Sequence, residues 1–243
     1  MNQTLTILNQ RTSIREFKLG LDILNADINT IVSSAKKAPS WENGQTYSIV
    51  IFEGTEKNKL VRLLSKNNNI QNAKIINSAS LFLIFNIDLS RFNINSSLEN
   101  EIEPILISST DAALSLENAV IAAESLGFGS CVIGGIRRDA NIICKEFNYP
   151  EKMFPLAGLA IGYPEITKKI KPKLPNSVNV FHAKDTNKLA NREDLEAYNI
   201  ELQEFAKQSG YETAFWHTKI SAYFDKKQFP PNTRKYLRDK NFF

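Results

Sequence analysis

The longest patterned apolar stretch of the chain lies near its middle, over residues 111–126. Apolar residues recur there at spacings of three and four, which is typical of a helix. The positions are Ala112, Leu116, Ala119, Val120, Ala123 and Leu126, with Ala113, Ile121 and Ala122 between them. Because apolar residues cover nearly the whole circumference, we predict a buried helix whose alanines let another helix approach closely.

The residues after this helix predict a turn, a short strand and a second turn. Gly127 is a typical helix stop, and residues 130–133 (SCVI) have the composition of a strand. The strand ends in the glycine pair 134–135, and two arginines follow at 137–138. Glycines with free N–H groups let the main chain approach a flat or phosphorylated ligand. An ordinary strand with a tight exit turn is the alternative.

Helix and strand patterns alternate through the first two thirds of the chain. Amphipathic helices are predicted over 22–38, 56–66 and 139–149. Apolar strands are predicted over 46–52, 80–86 and 154–164. Asp27 is a candidate N-cap of the first helix, whereas residues 67–77 and 87–103 have no clear pattern. Shorter helices are predicted over 190–207, 213–224 and 231–239. A sheet covered by helices gives an α+β or α/β layered domain.

Composition places the chain among ordinary globular proteins. Its 243 residues are 42% hydrophobic and 23% charged, and the net charge of +4 comes from scattered cations. This charge fits an anionic small ligand as well as nucleic acid. Cys131 and Cys144 form no CxxC motif, so we expect buried thiols, and two histidines are too few for a histidine-rich metal site. No apolar run approaches the length of a membrane span and no signal-peptide core is present, so we expect an intracellular protein.

Three polar stretches carry candidate ligand chemistry. Residues 11–17 (RTSIREF) place two arginines and two hydroxyls within five positions, and guanidinium groups match phosphate oxygens. Residues 40–45 form a polar loop before a predicted strand, which is a common place for ligand contacts. Residues 165–175 are cationic and punctuated by prolines, which favours an extended backbone. Solvated charges and a plain surface loop are the alternatives.

Five segments, in this order, resemble the nitroreductase superfamily of flavoproteins. They are RTSIREF, APSWENGQTYSIV, DAALSLENAVIAAESLGFGSCVIGGIRR, FPLAGLAIGYP and IKPKLP. Within the superfamily, the chain looks most like the oxygen-insensitive nitroreductases and the NADPH-dependent FMN reductases. The resemblance implies an FMN-binding domain over residues 1–180 and a C-terminal helical extension of the same domain over 181–243. It also implies an α+β fold, with a mixed sheet flanked by helices, and an intertwined homodimer that holds two FMN molecules at its interface.

The resemblance assigns cofactor contacts as well. One group, which binds the FMN phosphate and the polar edge of the flavin, comprises Arg11, Ser13, Arg15, Lys171 and Lys173. A second group, which lies beside the isoalloxazine ring or reaches FMN from the partner subunit, comprises Ser40, Asn43, Gln45, Ile133, Gly134 and Gly135. Gln71 matches a flavin-contacting glutamine, and Lys74 is the competing position for this match.

The implied chemistry belongs mainly to the cofactor. NADPH or NADH gives a hydride to flavin N5 and leaves, and a nitroaromatic compound, a quinone or free flavin then takes its place. No catalytic residue is implied beyond the flavin, apart from Arg15 as a cation that stabilises the N1–C2=O edge. The implied enzyme is cytoplasmic, acts on small molecules and uses no metal, nucleic acid or membrane.

The chain departs from the family pattern at three places. Lys173 replaces an arginine, which removes a bidentate fork from the phosphate clamp. Loop 207–216 keeps one lysine where NADPH-preferring relatives carry several arginines, and Glu212 adds a negative charge. The choice between NADH and NADPH therefore stays open. Trp41 and Asn43 depart from the serine-rich loop of close relatives, which leaves the acceptor open.

Two other functions fit the same residues. The first is a flavin-binding sensor or storage protein on the same fold, with little turnover, which the depleted nucleotide loop favours. The second is a generic nucleotide- or phosphate-binding domain, since single motifs also occur by chance.

Overall fold

Four strands form one sheet in the computed structural model, which describes residues 2–94, 101–166, 169–185, 191–225 and 233–242. The strands are β1 (Tyr47–Phe52), β2 (Leu81–Asp88), β3 (Gly129–Ile133) and β4 (Met153–Gly162). They lie in the order β1-β2-β4-β3, and each neighbouring pair is antiparallel. A one-residue parallel bridge between Ser13 and Ser130 adds to the edge at β3. The α+β expectation is confirmed, because the α/β alternative needs parallel strands joined by helices.

The helices divide between two compact units, residues 1–168 with 230–243 and residues 169–229. In chain order they are α1 (Gln3–Gln10), α2 (Asn25–Ala35), α3 (Gly54–Lys66), α4 (Ile70–Ser78), α5 (Glu103–Ser125), α6 (Ala140–Glu146), α7 (Asn176–Asn179), α8 (Arg192–Gln208), α9 (Trp216–Asp225) and α10 (Thr233–Asp239). The helices α7, α8 and α9 belong to the second unit, and the others belong to the first.

Hydrophobic layers cover both faces of the sheet, and the pleat of β2 decides which residue joins which layer. Leu81, Leu83 and Phe85 belong to the layer that includes α2 and α5. Phe82 and Ile84 belong to the opposite layer, which includes α3, α4 and α6. All eight residues of β2 are buried, as its nearly continuous apolar sequence predicts for a central strand.

The long helix α5 is buried on one side only. Ala119, Val120 and Ala123 are fully buried, whereas Leu106 and Leu114 are 51% and 40% exposed. The prediction of a helix buried nearly all round is therefore wrong for a single chain. By length and mean hydropathy α5 also has the dimensions of a membrane span, which corrects the expectation that no segment does. Its packing on β2 and α2 accounts for the apolar face, as in the core helix of a globular protein.

Local sequence signals predict one helix end correctly and another wrongly. Gly127 follows α5 with φ +86, the left-handed conformation expected of a helix stop. Asp27 is not the N-cap of α2, because it lies in the first turn, after Leu24 at the cap. The stretch over 67–77, which had no clear pattern, contains most of α4. Of the irregular residues 87–103, residues 95–100 lie outside the described part of the chain.

The second unit consists of helices and extended segments. Asn191 caps α8, and Asn199 on α8 accepts a hydrogen bond from the backbone N of Trp216 at the start of α9 (2.8 Å). In the cationic segment over 165–175, residues 167–168 lie outside the described ranges, and residues 169–175 are in neither helix nor strand. In the first unit, α10 buries Tyr236 and Leu237, and Phe242 is fully buried, whereas Phe243 is not among the described residues.

Candidate functional site

The arginine-bearing segment 11–15 is anchored on strand β3. Arg11 ends α1, and its backbone N donates to the carbonyl of Ile7 (2.9 Å). Ser13 pairs with Ser130, and the backbone N of Ile14 donates to the carbonyl of Ser130 (2.9 Å). The two arginines therefore lie on either side of a fixed backbone pair, next to the start of β3. The exposed guanidinium of Arg15 makes one long hydrogen bond, of 3.5 Å, to the carbonyl of Ser13.

Arg11 faces a carboxylate that the sequence analysis did not single out. Its Nε lies 4.0 Å from Oε1 of Glu124 on α5, and that oxygen accepts a hydrogen bond from the hydroxyl of Ser130 (2.7 Å). Burial raises the pKa of Glu124, while the Ser130 hydrogen bond and the charge of Arg11 oppose the rise and Glu117 adds to it. The Nε of Arg11 is buried and has no hydrogen-bond partner among the described residues. A guanidinium held along its Nε side presents its remaining N–H groups to another anion.

The glycine turn lies at the far end of β3. Ile133 is buried, and residues 134–139 continue as a 3₁₀ turn. A β-carbon on Gly135 would overlap the side-chain amide of Asn72, so this position has no room for a side chain. The nearest atoms to a β-carbon on Gly134 belong to the guanidinium of Arg137, at 3.5 Å and beyond, which is ordinary contact. Position 134, which is partly buried, therefore has room for a β-carbon, whereas the exposed position 135 does not.

The glycine turn packs against the beginning of α4. The side-chain amide of Asn69 donates to Asp139 (2.5 Å) and to the carbonyl of Gly135 (3.4 Å). The side-chain amide of Asn72 donates to the side-chain oxygen Oδ1 of Asn69 (2.8 Å), so the two asparagines connect α4 to the glycine turn. Gln71 is the neighbour of Asn72 and is exposed, as is Lys74. Both candidates for the flavin-contacting position thus lie on the element that packs against the turn.

The polar loop over residues 40–45 has a fixed and unusual backbone. Three of its residues are left-handed: Glu42 (φ 45), Asn43 (φ 57) and Gln45 (φ 49). The hydroxyl of Ser40 accepts from the backbone N of Gln45 (3.2 Å), which closes the loop across its base. The indole of Trp41 is 56% exposed. Gln45 also lines a cavity of about 420 Å³, together with residues of α2 and β1.

The remaining candidates belong to the second unit. Lys171 and Lys173 are both exposed and lie in the segment before α7. Lys207 and Glu212, which bear on nucleotide choice, are also exposed, at the end of α8 and in the loop that follows. Their assignments to the cofactor and to the nucleotide stay predictions.

Within the first unit, two predicted groups of contacts lie at the two ends of β3. Ser130, beside the arginine-bearing segment, and Gly134 are four residues apart, so they lie about 13 Å apart along the strand. A ligand that touches both ends must therefore be elongated, with an anionic group at the Arg11 end. The cationic and hydroxyl donors there suit a phosphate, and the glycine pair at the other end lets the main chain approach a flat group. Across the described residues, no group of three or more His, Cys, Asp or Glu side chains is placed to hold a metal ion.

Three residues that are important for this geometry are not among the candidates that the sequence analysis identifies. They are Asp111, which binds the 40–46 loop, Glu124, which faces Arg11, and Asn69, which binds the glycine turn. Glu124 interrupts an apolar helix pattern, and such an interruption is the signal that was available. Asp111 follows Ser108, Ser109 and Thr110, and Asn69 follows two asparagines, so nothing local separates these two residues from surface residues.

The chain is similar to known proteins in both sequence and structure. The sequence model of the nitroreductase family matches residues 8–163. The FMN reductase (NADPH) of Bacillus subtilis (strain 168) is 32% identical over 258 residues, which cover 100% of this chain and 99% of the relative. The solved structure of B. megaterium NfrA2 is 31% identical, with a TM-score of 0.85 and coverage of 100% and 98%. The NADPH:FMN oxidoreductase from Vibrio harveyi, solved with NAD+, is 26% identical, with a TM-score of 0.85 and coverage of 99% and 98%.

Proposed function

Because the chain belongs to the nitroreductase family, we propose that it is an FMN-dependent NAD(P)H oxidoreductase with small-molecule electron acceptors. Nitroaromatic compounds, quinones and free flavin are the acceptor classes. The observation that carries the proposal is the anchoring of an arginine-bearing segment on the same strand that ends in the glycine turn. The printed names of relatives, among them an FMN reductase and an NADPH-flavin oxidoreductase, support the same activity.

The phosphate of FMN and the polar edge of the flavin are assigned to Arg11, Ser13 and Arg15. Guanidinium groups bind phosphate through paired N–H donors, and a serine hydroxyl adds a short hydrogen bond. Arg11 supports this role, because its side chain is oriented by Glu124 and its Nε is buried beside that carboxylate. Lys171 and Lys173 are proposed to add positive charge, although a lysine supplies no bidentate fork.

The flavin ring is assigned to Ile133, Gly134 and Gly135. The hydrogen bond from Asn69 to the carbonyl of Gly135 fixes the backbone of the turn, and two adjacent residues without side chains let a flat group approach that backbone. Gln71 at the start of α4 is proposed to contact the ring edge. Ser40, Asn43 and Gln45 are proposed to reach the FMN bound to the partner subunit, from a loop whose conformation is held by Asp111 and by Ser40 itself.

The chain contributes binding and charge, and bound FMN supplies the hydride and electron transfer between nucleotide and acceptor. The exposed guanidinium of Arg15 is proposed to stabilise negative charge at the N1–C2=O edge. Nucleotide and acceptor are proposed to occupy the same exposed face of the bound flavin one after the other, which is a ping-pong scheme. A further acid or base from the chain is not required.

A homodimer is proposed because two helices of the first unit expose large apolar side chains. They are Leu5 and Leu8 of α1, Leu106 and Leu114 of α5, and Ile102 before α5, all 40% or more exposed. The helices α1 and α5 pack on each other, so these side chains form part of one region of the surface. Obligate interfaces are apolar in the same way as a protein core. Sedimentation equilibrium tests the proposal, and a monomer at micromolar concentration contradicts it.

A cytoplasmic location and the division into residues 1–180 and 181–243 are also proposed. A reductase that consumes NAD(P)H works where this nucleotide is regenerated. Cys131 and Cys144 are buried thiols, which suits a reducing compartment.

The choice of nucleotide is proposed to depend on the second unit. A 2′-phosphate is usually selected by a cation, and loop 207–216 offers Lys207 beside the opposing charge of Glu212. We therefore expect a weaker preference for NADPH than in relatives with several arginines at this place.

The experiment that tests the function is the visible spectrum of the purified protein, followed by anaerobic titration with NADH and with NADPH. A flavin spectrum that either nucleotide bleaches supports the oxidoreductase, and the ratio of the two rates measures nucleotide preference. A flavin spectrum that neither nucleotide bleaches supports a flavin-binding protein without turnover. Failure to bind added FMN contradicts both functions.

A further inference from the structure

A buried carboxylate on α5 holds the loop that carries three proposed cofactor contacts. Asp111 is 2% exposed. One of its oxygens accepts from the backbone N of Trp41 (3.0 Å), and the other accepts from the backbone N (3.1 Å) and the hydroxyl (2.8 Å) of Thr46. These donors lie 65 to 70 positions earlier in the sequence, at the two ends of the loop. One side chain therefore fixes where the loop begins and where it ends.

The loop needs such support because its backbone is strained. Three non-glycine residues in a row of four have positive φ, a conformation that persists only where the surroundings fix it. A buried carboxylate also needs several hydrogen-bond donors, since an unpaired charge in the interior is costly. The loop supplies the three donors that Asp111 requires, and Asp111 supplies the acceptors that the loop backbone requires. Each stabilises the other.

The C-terminal side of the loop is held by a second charged residue. Arg91 donates to the carbonyl of Gln45 (2.7 Å) and to that of Tyr47 (2.9 Å). Asp88 in turn accepts from Arg91 (3.1 Å) and fixes its orientation. The backbone of Gln45 is therefore bound from one side by Arg91 and, through Thr46, from the other side by Asp111.

We propose that Asp111 is a positioning residue of the cofactor site, which sets the loop conformation in which Ser40, Asn43 and Gln45 meet the flavin. Asp111 is buried beneath the loop and acts through it. This inference rests on the proposed function, because it assigns the loop to FMN. A role in folding alone is the competing explanation, and it predicts loss of stability without a separate loss of FMN affinity.

The sharpest test is a pair of substitutions at Thr46. Thr46→Val keeps the shape of the side chain and removes the hydroxyl that donates to Asp111, whereas Thr46→Ser keeps the hydroxyl. We expect the dissociation constant of FMN to rise about 10-fold in T46V, since a hydrogen bond to a charged group is lost, and to stay near the wild-type value in T46S. Fluorescence titration of reconstituted protein with FMN measures both constants.

A second pair of substitutions tests the carboxylate itself. Asp111→Asn turns one acceptor into an N–H donor, and we expect the FMN dissociation constant to rise about 10- to 100-fold because the contacts are displaced. Glu117→Gln removes an exposed carboxylate from the same helix and is the matched control. Hydrogen–deuterium exchange of the FMN-bound protein adds a direct measurement. We expect the backbone amides of Trp41 and Thr46 to exchange faster in D111N than in the wild type, and at the wild-type rate in E117Q.

A destabilised control separates positioning from folding. Ile143→Val trims a fully buried residue on α6 and lowers the melting temperature without touching the loop. FMN affinity that falls equally in I143V and T46V overturns the inference, as does affinity that is unchanged in T46V and D111N. Wild-type protein that binds no FMN contradicts the proposed function instead. If D111N does not fold, the comparison of T46V with T46S decides.

Discussion

The side-chain amide of Asn72 lies so close to Gly135 that a β-carbon at position 135 would overlap its nitrogen. Asn72 cannot move away freely, because it donates to Asn69, which itself binds the carbonyl of Gly135 and the carboxylate of Asp139. The start of α4 and the glycine turn are therefore packed as one piece. This contact distinguishes two adjacent glycines: position 135 has no room for a β-carbon unless Asn72 moves, whereas position 134 has room for one.

The first prediction is that Gly135→Ala destabilises the fold and that Asn72→Ala relieves the effect. The new methyl group forces Asn72 out of its hydrogen bond, at a cost of about 1 to 3 kcal/mol in the free energy of unfolding. In the N72A background the space is free, so the same substitution costs less. Urea denaturation of the four proteins of this double-mutant cycle measures the coupling. Equal costs in both backgrounds contradict the contact.

A separate outcome is expected at Gly134. Gly134→Ala leaves the melting temperature near the wild-type value, because the nearest atoms to the new β-carbon, in the guanidinium of Arg137, lie at ordinary contact distance. It crowds the flavin plane, and we expect FMN affinity and the rate of flavin reduction to fall at least about 10-fold. A yellow, fully active variant contradicts the placement of the ring. Loss of the fold, measured by circular dichroism, contradicts the expected room for a side chain at position 134.

Arg15→Ala is expected to weaken FMN retention and slow flavin reduction. Among the described residues, the exposed guanidinium of Arg15 makes only one long hydrogen bond, to Ser13, so its removal leaves the fold almost unchanged. The lost charge-assisted bonds to the cofactor raise its dissociation constant about 10- to 100-fold. Arg62→Ala, at an exposed position on α3, is the control for net charge. Equal FMN affinity and equal rates in both variants count against the assignment.

Much of the fold could be predicted because its elements have local signals. The apolar run of β2 indicated a central strand, and Gly127 marked the end of α5. The helix α4 has no such signal, since three asparagines precede it and polar residues separate the apolar residues that it buries. Asn67 and Asn69 find their partner in Asp139, 70 or more positions later. A pattern within a short window does not contain this information.

The site shows the same division between local and distant information. Arg11, Ser13 and Arg15 form a compact polar set that the sequence displays directly. The carboxylates that orient the site, Asp111 and Glu124, meet their partners only through the tertiary fold. One side of α5 is exposed although its residues are apolar, so the hydrophobic pattern of this helix alone overestimates its burial.

Glu124 is expected to make stability depend on pH in the acidic range. Burial raises its pKa in the folded state above the ordinary value of 4.5, so the folded protein holds the proton at pH values where the unfolded chain has lost it. Stability from this group is therefore present at pH below 4.5 and falls as the pH rises through the folded pKa. Glu124→Gln keeps an acceptor for Ser130 and removes the titration.

The measurement is the difference in unfolding free energy between wild type and E124Q from pH 4 to pH 7. We expect the wild type to lose stability relative to E124Q as the pH rises. Glu103→Gln, at an exposed position near the other end of the same helix, lies outside the groups that shift the pKa of Glu124 and is the control. A difference that stays constant, or that changes in the opposite direction because the attraction of Arg11 dominates, contradicts this prediction.

At the alkaline end, Cys144 is expected to limit stability. Burial raises the pKa of its thiol to about 11 from 9.0, against a smaller opposing effect of a hydrogen bond with Tyr236. Burial also raises the pKa of Tyr149 and of Tyr236, which line the same part of the core. Between pH 9 and 11 the unfolded chain ionises its thiol while the folded protein does not. Stability is thus complete below pH 9 and falls by roughly 2 kcal/mol toward pH 11.

Cys144→Ala removes this titration, so its unfolding free energy falls less steeply over that interval, although the cavity lowers its value at every pH. Urea denaturation at pH 8, 9, 10 and 11 measures both slopes. A thiol reagent gives an independent check, since a neutral buried thiol does not react. Both Cys131 and Cys144 are expected to stay unmodified in folded protein at pH 8 and to react fully in urea. Rapid modification of Cys144 in the folded protein means that it is accessible, and the predicted alkaline slope then fails with it.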